Sequence, residues 1–239
     1  MRKLSSGLFY VFCDETYAPI HAGRRYIMGY ILVPQAPWSR LPESKRSLNE
    51  PGNITGPQRL KQLLNDVGGV ATITYADLGF DLIVTGERDG TADIPDMART
   101  DNAWSAAMAF GLAAALKWPL YHDLSPQTVD VYYDTRSINS DHRAALHNAI
   151  KNRLSMIMRD EAKRKSVPRG YGPRVRRFVD TEKAAQNCPA DKYQQGIAAT
   201  DRLLKFYKKN FIDNSNEMRI HVMDHSTHVR GHLSKFQVP

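Results

Sequence analysis

Segments typical of β-strands alternate along this chain with segments typical of α-helices, and this alternation constrains its fold more than any other feature. The strand-like segments are about 8–14, about 25–33, a β-branched run ending near Asp77, a run ending at Asp134, and 174–180. Segments with apolar residues at helical spacing lie between and after them. The pattern predicts an α/β domain with a mixed β-sheet flanked by α-helices.

The domain organisation follows from length and composition. A chain of 239 residues suits one large domain or at most two small ones, and we expect a single domain over 1–239. Residues 34–56 are rich in Pro, Ser, Gly and Asn and are predicted as a long loop or insertion, while the tail at about 214–239 has no clear place. The two cysteines, Cys13 and Cys188, lie too far apart for a disulfide framework or a CxxC zinc pattern.

The chain shows no targeting or membrane signal. Its first apolar run is too short for a signal-peptide core and ends in two carboxylates. No segment approaches the length of a membrane span. We therefore predict a cytoplasmic protein without a membrane partner.

The net charge of +8 comes from one segment. Residues 141–177 hold eleven Lys or Arg and three Asp or Glu, so the excess of this basic block equals that of the whole chain. Such a block suits contact with the phosphate backbone of DNA or RNA, although a solvated helix face followed by a basic loop is the alternative. The predicted nucleic-acid contacts are Arg136, just before the block, and Arg143, Lys151, Lys163, Arg164, Lys165, Arg174 and Arg176.

Three aspartates have related positions in the predicted elements. Asp14 closes the first strand, and Asp134 closes another in the same way, so neighbouring strands can bring both to one sheet edge. Asp201 lies within an apolar helical stripe, between Ile197 and Leu204. Three carboxylates at one edge would hold one or two Mg²⁺ or Mn²⁺ ions, because hard cations prefer oxygen ligands. Such ions activate water and stabilise the leaving oxygen of a phosphodiester.

Two further acids need separate treatment. Adjacent strand residues face opposite sides of a sheet, and Asp14 has the parity of Tyr10 and Phe12. We therefore predict Asp14 as the ligand and Glu15 as a supporting group or ion-pair partner outside the ligand set. Asp77 is a fourth candidate, although an Asp before Leu-Gly is also an ordinary turn signal.

The order of these segments resembles that of domain of unknown function 3800, a bacterial and phage family with a ribonuclease H-like fold. The matching stretches are FCDET for its Asp-Glu-Ser motif, YIMGYILV for its second strand, VDVYYDTRSINSDHRAALHNAI for its strand ending in Asp before a long helix, and YQQGIAATDRLL for its last helix. The resemblance implies a ribonuclease H-like domain with metal-dependent nuclease activity. It also implies an acidic catalytic cluster of Asp14, Asp134 and Asp201, together with Glu15.

Three functional interpretations follow. The leading prediction is a nuclease that hydrolyses DNA or RNA with Mg²⁺ or Mn²⁺ while the basic block grips the backbone. The alternative is a non-catalytic nucleic-acid-binding or protein-interaction module on the same fold, because Thr16 stands where the family has Ser and the motif GIAAT before Asp201 departs from that of the family. A third interpretation, a zinc protein, rests on two histidine pairs with a spacing of four, His221 with His225 and His228 with His232.

Overall fold

The computed structural model describes residues 5–47, 56–79, 96–117, 124–133, 140–164, 173–180, 191–209 and 219–233. The strands are β1 Ser5–Ile20, β2 Gly23–Pro34, β3 Val70–Gly79, β4 Leu124–Tyr133, β5 Arg174–Asp180 and β6 Ile220–Asp224. The helices of the described ranges are α1 Gln35–Arg40, α2 Glu43–Ser47, α3 Gly56–Val67, α4 Asp96–Lys117, α5 Ser140–Arg164, α6 Asp191–Lys208 and α7 Ser226–Leu233.

The strands form one mixed six-stranded sheet in the order β5-β4-β1-β2-β3-β6. β1, β2 and β3 are antiparallel neighbours, whereas β4 runs parallel to β1, β5 parallel to β4 and β6 parallel to β3. Helices pack on both faces of this sheet. The predicted α/β class, a mixed sheet flanked by helices, is therefore confirmed.

Both faces of β1 are covered, which explains its nearly continuous apolar sequence. Phe9, Val11 and Cys13 pack with α4, α5 and α7 in one core cluster. Tyr10 and Phe12 pack with α1, α3 and α6 in the other. A fully buried side chain of this size contributes roughly 1.5–3 kcal/mol, so the central strand is held firmly from both sides.

β1 is longer than the sequence indicates. The predicted strand at about 8–14 continues to Ile20 and joins β2 in a hairpin that turns at residues 21–22. Asp14 pairs with Gly29 in the middle of this hairpin, so the prediction that Asp14 closes the strand is wrong. The strand continues because β2 offers a backbone partner as far as the pair Ile20–Gly23, and Thr and Tyr fit a pleated strand well.

Two regions that the pattern left without elements contain regular structure. The segment 34–56 includes α1 and α2, with Trp38 fully buried and Arg46 donating from Nε to Gln195 Oε1 of α6 at 2.7 Å. The tail at 214–239 includes β6, which extends the sheet beside β3, and α7. In the part of the chain that the structure describes, no helix is both long and apolar enough to cross a membrane.

Candidate functional site

Small residues let α6 approach the sheet closely. Gly196 lies against the ring of Phe12, where an added Cβ would overlap the aromatic carbons. A Cβ at Gly29 of β2 would lie 3.0 Å from Thr200 Cγ2 and 3.0 Å from Leu204 Cγ. The Thr200 hydroxyl also lies 3.4 Å from the Phe12 carbonyl oxygen. These contacts hold α6 directly over the middle of β1 and β2.

Asp14 lies on the face of the sheet that α6 covers. Its unbroken pairing with Gly29 keeps it on the side of Phe12, two residues earlier on β1. The side chain is partly exposed, and its Oδ1 accepts a hydrogen bond from the Glu15 N–H at 2.8 Å. A carboxylate thus lies at the margin of the α6 contact, where the buried part of β1 meets solvent.

β4 runs beside β1 towards the same point. Their parallel register ends in the pair Cys13–Tyr133, and Tyr133 is the last residue of β4. Asp134 and Arg136, both predicted functional residues, lie outside the described residues. Cys13, the residue before Asp14, is therefore the register partner of Tyr133, the residue before Asp134.

The sequence places Asp201 in the middle of the apolar stripe of α6, between Ile197 and Leu204, whereas in the structure it lies at the edge of that stripe. The buried stripe consists of Gly196, Ile197, Ala199, Thr200, Leu203 and Leu204. Asp201 follows Thr200 by about 100° around the helix and its side chain is 43% exposed. Its Oδ2 lies 2.6 Å from Lys205 Nζ in an i,i+4 ion pair. The carboxylate thus borders the stripe, beside an ammonium group.

A second lysine reaches the neighbouring part of β1. Lys208 Nζ lies 3.3 Å from Thr16 Oγ1 and 3.2 Å from the Tyr17 carbonyl oxygen. Lys205 and Lys208 therefore place two positive charges beside the face that carries Asp14. Sequence analysis missed both because they lie outside the basic block, although their spacing from Asp201 was a usable signal.

Glu15 faces the other side of the sheet, as strand alternation predicts. Glu15 is two residues after Cys13 on β1 and so points to the same face of the sheet. Cys13 packs against α4 on that face, and Glu15 lies near Tyr30 there. Burial chiefly raises the pKa of Tyr30, and the charges of Cys13 and Glu15 raise it further. Glu15 and Asp14 therefore do not share one face.

The described residues do not by themselves form a complete metal site. Within the ranges that the structure covers, no group of three or more His, Cys, Asp or Glu side chains could hold a metal ion. Asp14 and Asp201 are the described members of the predicted triad. Among the tail histidines, His221 belongs to β6 and His225 precedes α7, so the expected helical pairing of these two is wrong.

Two other acids have arginine partners. Asp77, the fourth candidate, receives two hydrogen bonds from Arg25, at 2.6 Å from Nε and 2.7 Å from Nη2. Asp130 of β4 is only 1% exposed and receives a bidentate pair from Arg176. Arg176, a predicted nucleic-acid contact, thus balances a buried carboxylate while remaining 44% exposed.

Some side chains of the basic block are exposed to solvent, and others are partly buried. Lys151 on α5 and Arg174 on β5 are exposed, and β5 is an edge strand of the sheet. Arg153, in contrast, is half-buried and donates to Ser105 Oγ and, at 3.2 Å, to His232 Nε2. Of the other predicted contacts, Arg143, Lys163 and Arg164 belong to α5, and Lys165 lies outside the described residues.

Comparisons with known proteins show similarity to solved structures. Neither a protein-family model nor a curated protein matches this chain. Eight solved chains match it. One is Bst ribonuclease HIII in complex with Mn²⁺, with 11% sequence identity, a TM-score of 0.35, and coverage of 84% of this chain and 54% of that chain. This chain thus spans about half the length of that protein.

Proposed function

We propose that this chain is a ribonuclease H-like, divalent-metal-dependent nuclease that hydrolyses phosphodiester bonds of DNA or RNA. The observation that carries the proposal is the convergence of three elements beside Asp14. α6 contacts β1 through Thr200 and Phe12, and β4 runs parallel to β1 as far as Tyr133. The same proposal includes membership of domain of unknown function 3800, on the sequence motifs around Asp14 and Asp201.

The ligands in this proposal are Asp14, Asp134 and Asp201. Their oxygen-only donor set suits Mg²⁺ or Mn²⁺. A bound ion would supply an activated water and stabilise the leaving oxygen. Lys205 balances Asp201 in the absence of a cation, and an exposed i,i+4 pair of this kind is worth only about 0.3–0.5 kcal/mol. Exchange of the ammonium for a divalent ion would therefore cost little.

Cleavage of labelled single-stranded, duplex and hybrid DNA and RNA in Mn²⁺, Mg²⁺ and EDTA tests the proposal. Asp14→Asn, Asp134→Asn and Asp201→Asn should each lower the rate by about a hundredfold or more, because each removes a charged ligand of the ion. Asp66→Asn is the control, since Asp66 of α3 pairs with Lys45 of α2 at 3.7 Å. Full activity of Asp134→Asn would refute the assignment.

The alternative is a nucleic-acid-binding module without catalysis. The ion pair between Asp201 and Lys205 favours it, because the carboxylate charge is already matched without a metal. This alternative predicts binding that weakens steeply with salt but is the same in EDTA and Mn²⁺, with no cleavage product.

A further inference from the structure

Lys208, the last residue of α6, has neutral partners for its charge. Its ammonium group contacts the Thr16 hydroxyl and the Tyr17 carbonyl oxygen, whereas Lys205, one turn earlier, faces the carboxylate of Asp201. Among the described residues, no carboxylate lies within ion-pair distance of Lys208. An ammonium group has three donors, so this exposed cation has both charge and a donor available for an anion.

The position of Lys208 connects it with the proposed site. Thr16 follows Asp14 by two residues on β1 and therefore points to the same face of the sheet. Two residues of an antiparallel strand span about 7 Å. The Lys208 ammonium group is therefore anchored one strand repeat beyond the Asp14 carboxylate, on the side where α6 lies.

We propose that Lys208 is a phosphate-binding residue that holds the nucleic-acid backbone at a phosphate next to the one beside Asp14. The inference rests on the proposed nucleic-acid substrate, and it assigns a contact outside the basic block of residues 141–177. A compact ammonium group binds a phosphate oxygen as a point charge. Thr16 and Tyr17 position the ammonium group before the nucleic acid binds, which lowers the entropy cost of the phosphate contact.

Binding in EDTA tests this contact separately from cleavage. Affinity for fluorescent single-stranded and duplex DNA and RNA would be measured by anisotropy at several salt concentrations. Lys208→Met should weaken binding about tenfold near 0.1 M salt and reduce the slope of log K against log salt by about one, because one phosphate contact is lost. Lys208→Arg should retain most of the affinity.

Lys209 offers a matched control on the same helix end. Its side chain is exposed, and the contact that it makes with α6 is from its backbone N–H to the Lys205 carbonyl at 3.2 Å. Lys209→Met should change affinity by less than about twofold. Equal affinity and slope for Lys208→Met and Lys209→Met would overturn the inference, as would the absence of nucleic-acid binding by the wild type.

A second control separates charge from local structure. Thr16→Ala removes the hydroxyl that Lys208 contacts but leaves the ammonium group, so the salt slope should remain that of the wild type. A slope reduced as far as in Lys208→Met would mean that local distortion, not a phosphate contact, explains the loss. Wild-type binding that depends on Lys208 without cleavage in Mn²⁺ would refute the nuclease proposal and leave the phosphate contact standing.

Discussion

At the level of single residues, the acids differ in what balances their charge. Asp77 and Asp130 each face an arginine fork, a strong and directional partner that a metal ion would have to displace. Asp201 pairs with the exposed Lys205, and Asp14 Oδ1 accepts a hydrogen bond from the Glu15 N–H. Asp77 and Asp130 therefore join neighbouring strands, whereas the exposed lysine beside Asp201 is a weaker partner that a cation would displace at lower cost.

The ion pair between Asp130 and Arg176 predicts unequal effects of its two partners on stability. Arg176→Ala leaves a carboxylate that is 1% exposed without its charge partner, and should lower the free energy of unfolding by about 2–3 kcal/mol. Asp130→Asn should cost about 1 kcal/mol, since the partly exposed guanidinium can reach water. Urea denaturation measures both, with the exposed Arg174→Ala as control. Equal losses for the two partners would contradict this account.

His225 has an environment that disfavours its charged form. Both ring nitrogens are buried, and neither has a hydrogen-bond partner among the residues that the structure describes. Burial chiefly, then the charges of His228, Lys117 and His221, lower the pKa of His225 to about 4, against the opposing effect of Asp224. The imidazole is therefore neutral in the folded protein at physiological pH.

This environment predicts a loss of stability in acid. The pKa of His225 is about 4 when folded and about 6.5 when unfolded, so the unfolded chain binds the proton more readily. The contribution of neutral His225 to the free energy of unfolding is fully present above pH 6.5. It is lost as pH falls from 6.5 towards 4, and the loss reaches about 3 kcal/mol. His225→Phe should flatten the profile of unfolding free energy between those values. His21→Gln, at an exposed turn, should not; identical profiles for both variants would refute the prediction.

At the level of elements, the docking of α6 onto β1 depends on the missing side chain of Gly196. Gly196→Ala should destabilise the protein although Ala is favoured in helices by about 1 kcal/mol, because the methyl group overlaps Phe12 and forces α6 away. The same change at Gly231 in α7, where an added Cβ meets no atom of the described residues within 4 Å, should stabilise by about 0.5–1 kcal/mol. Thermal unfolding of both variants checks the contrast, and a stabilised Gly196→Ala would contradict the close approach.

At the level of the whole molecule, the proposed metal site joins residues that are far apart in the chain, so metal binding should stabilise the fold. Mn²⁺ at a hundredfold excess over its dissociation constant should add about 2.7 kcal/mol and raise Tm. Asp14→Asn and Asp201→Asn should lose most of this increase, whereas Asp66→Asn should retain it. A Tm increase in Asp14→Asn equal to that of the wild type would mean that the ion binds elsewhere.

Prediction from the sequence succeeded where a structural signal is local. The stretch 174–180 forms β5 as predicted, and the second strand, predicted at about 25–33, is Gly23–Pro34. The opposite orientations of Asp14 and Glu15 follow from strand alternation alone. Apolar periodicity is sufficient for these features, because it records which face of an element is buried.

Other features depend on partners that the local pattern does not contain. β1 extends past Asp14 because β2 folds back beside it, and Asp201 is exposed because the contact of Gly196 with Phe12 sets the rotation of α6. The ion pair of Asp130 with Arg176 likewise joins residues 46 positions apart. The order of residues is enough to establish that strands and helices alternate and which faces are apolar. Backbone pairing and side-chain packing between distant segments decide where β1 ends, how α6 is turned and which charges meet, because those energies arise only when the segments are in contact.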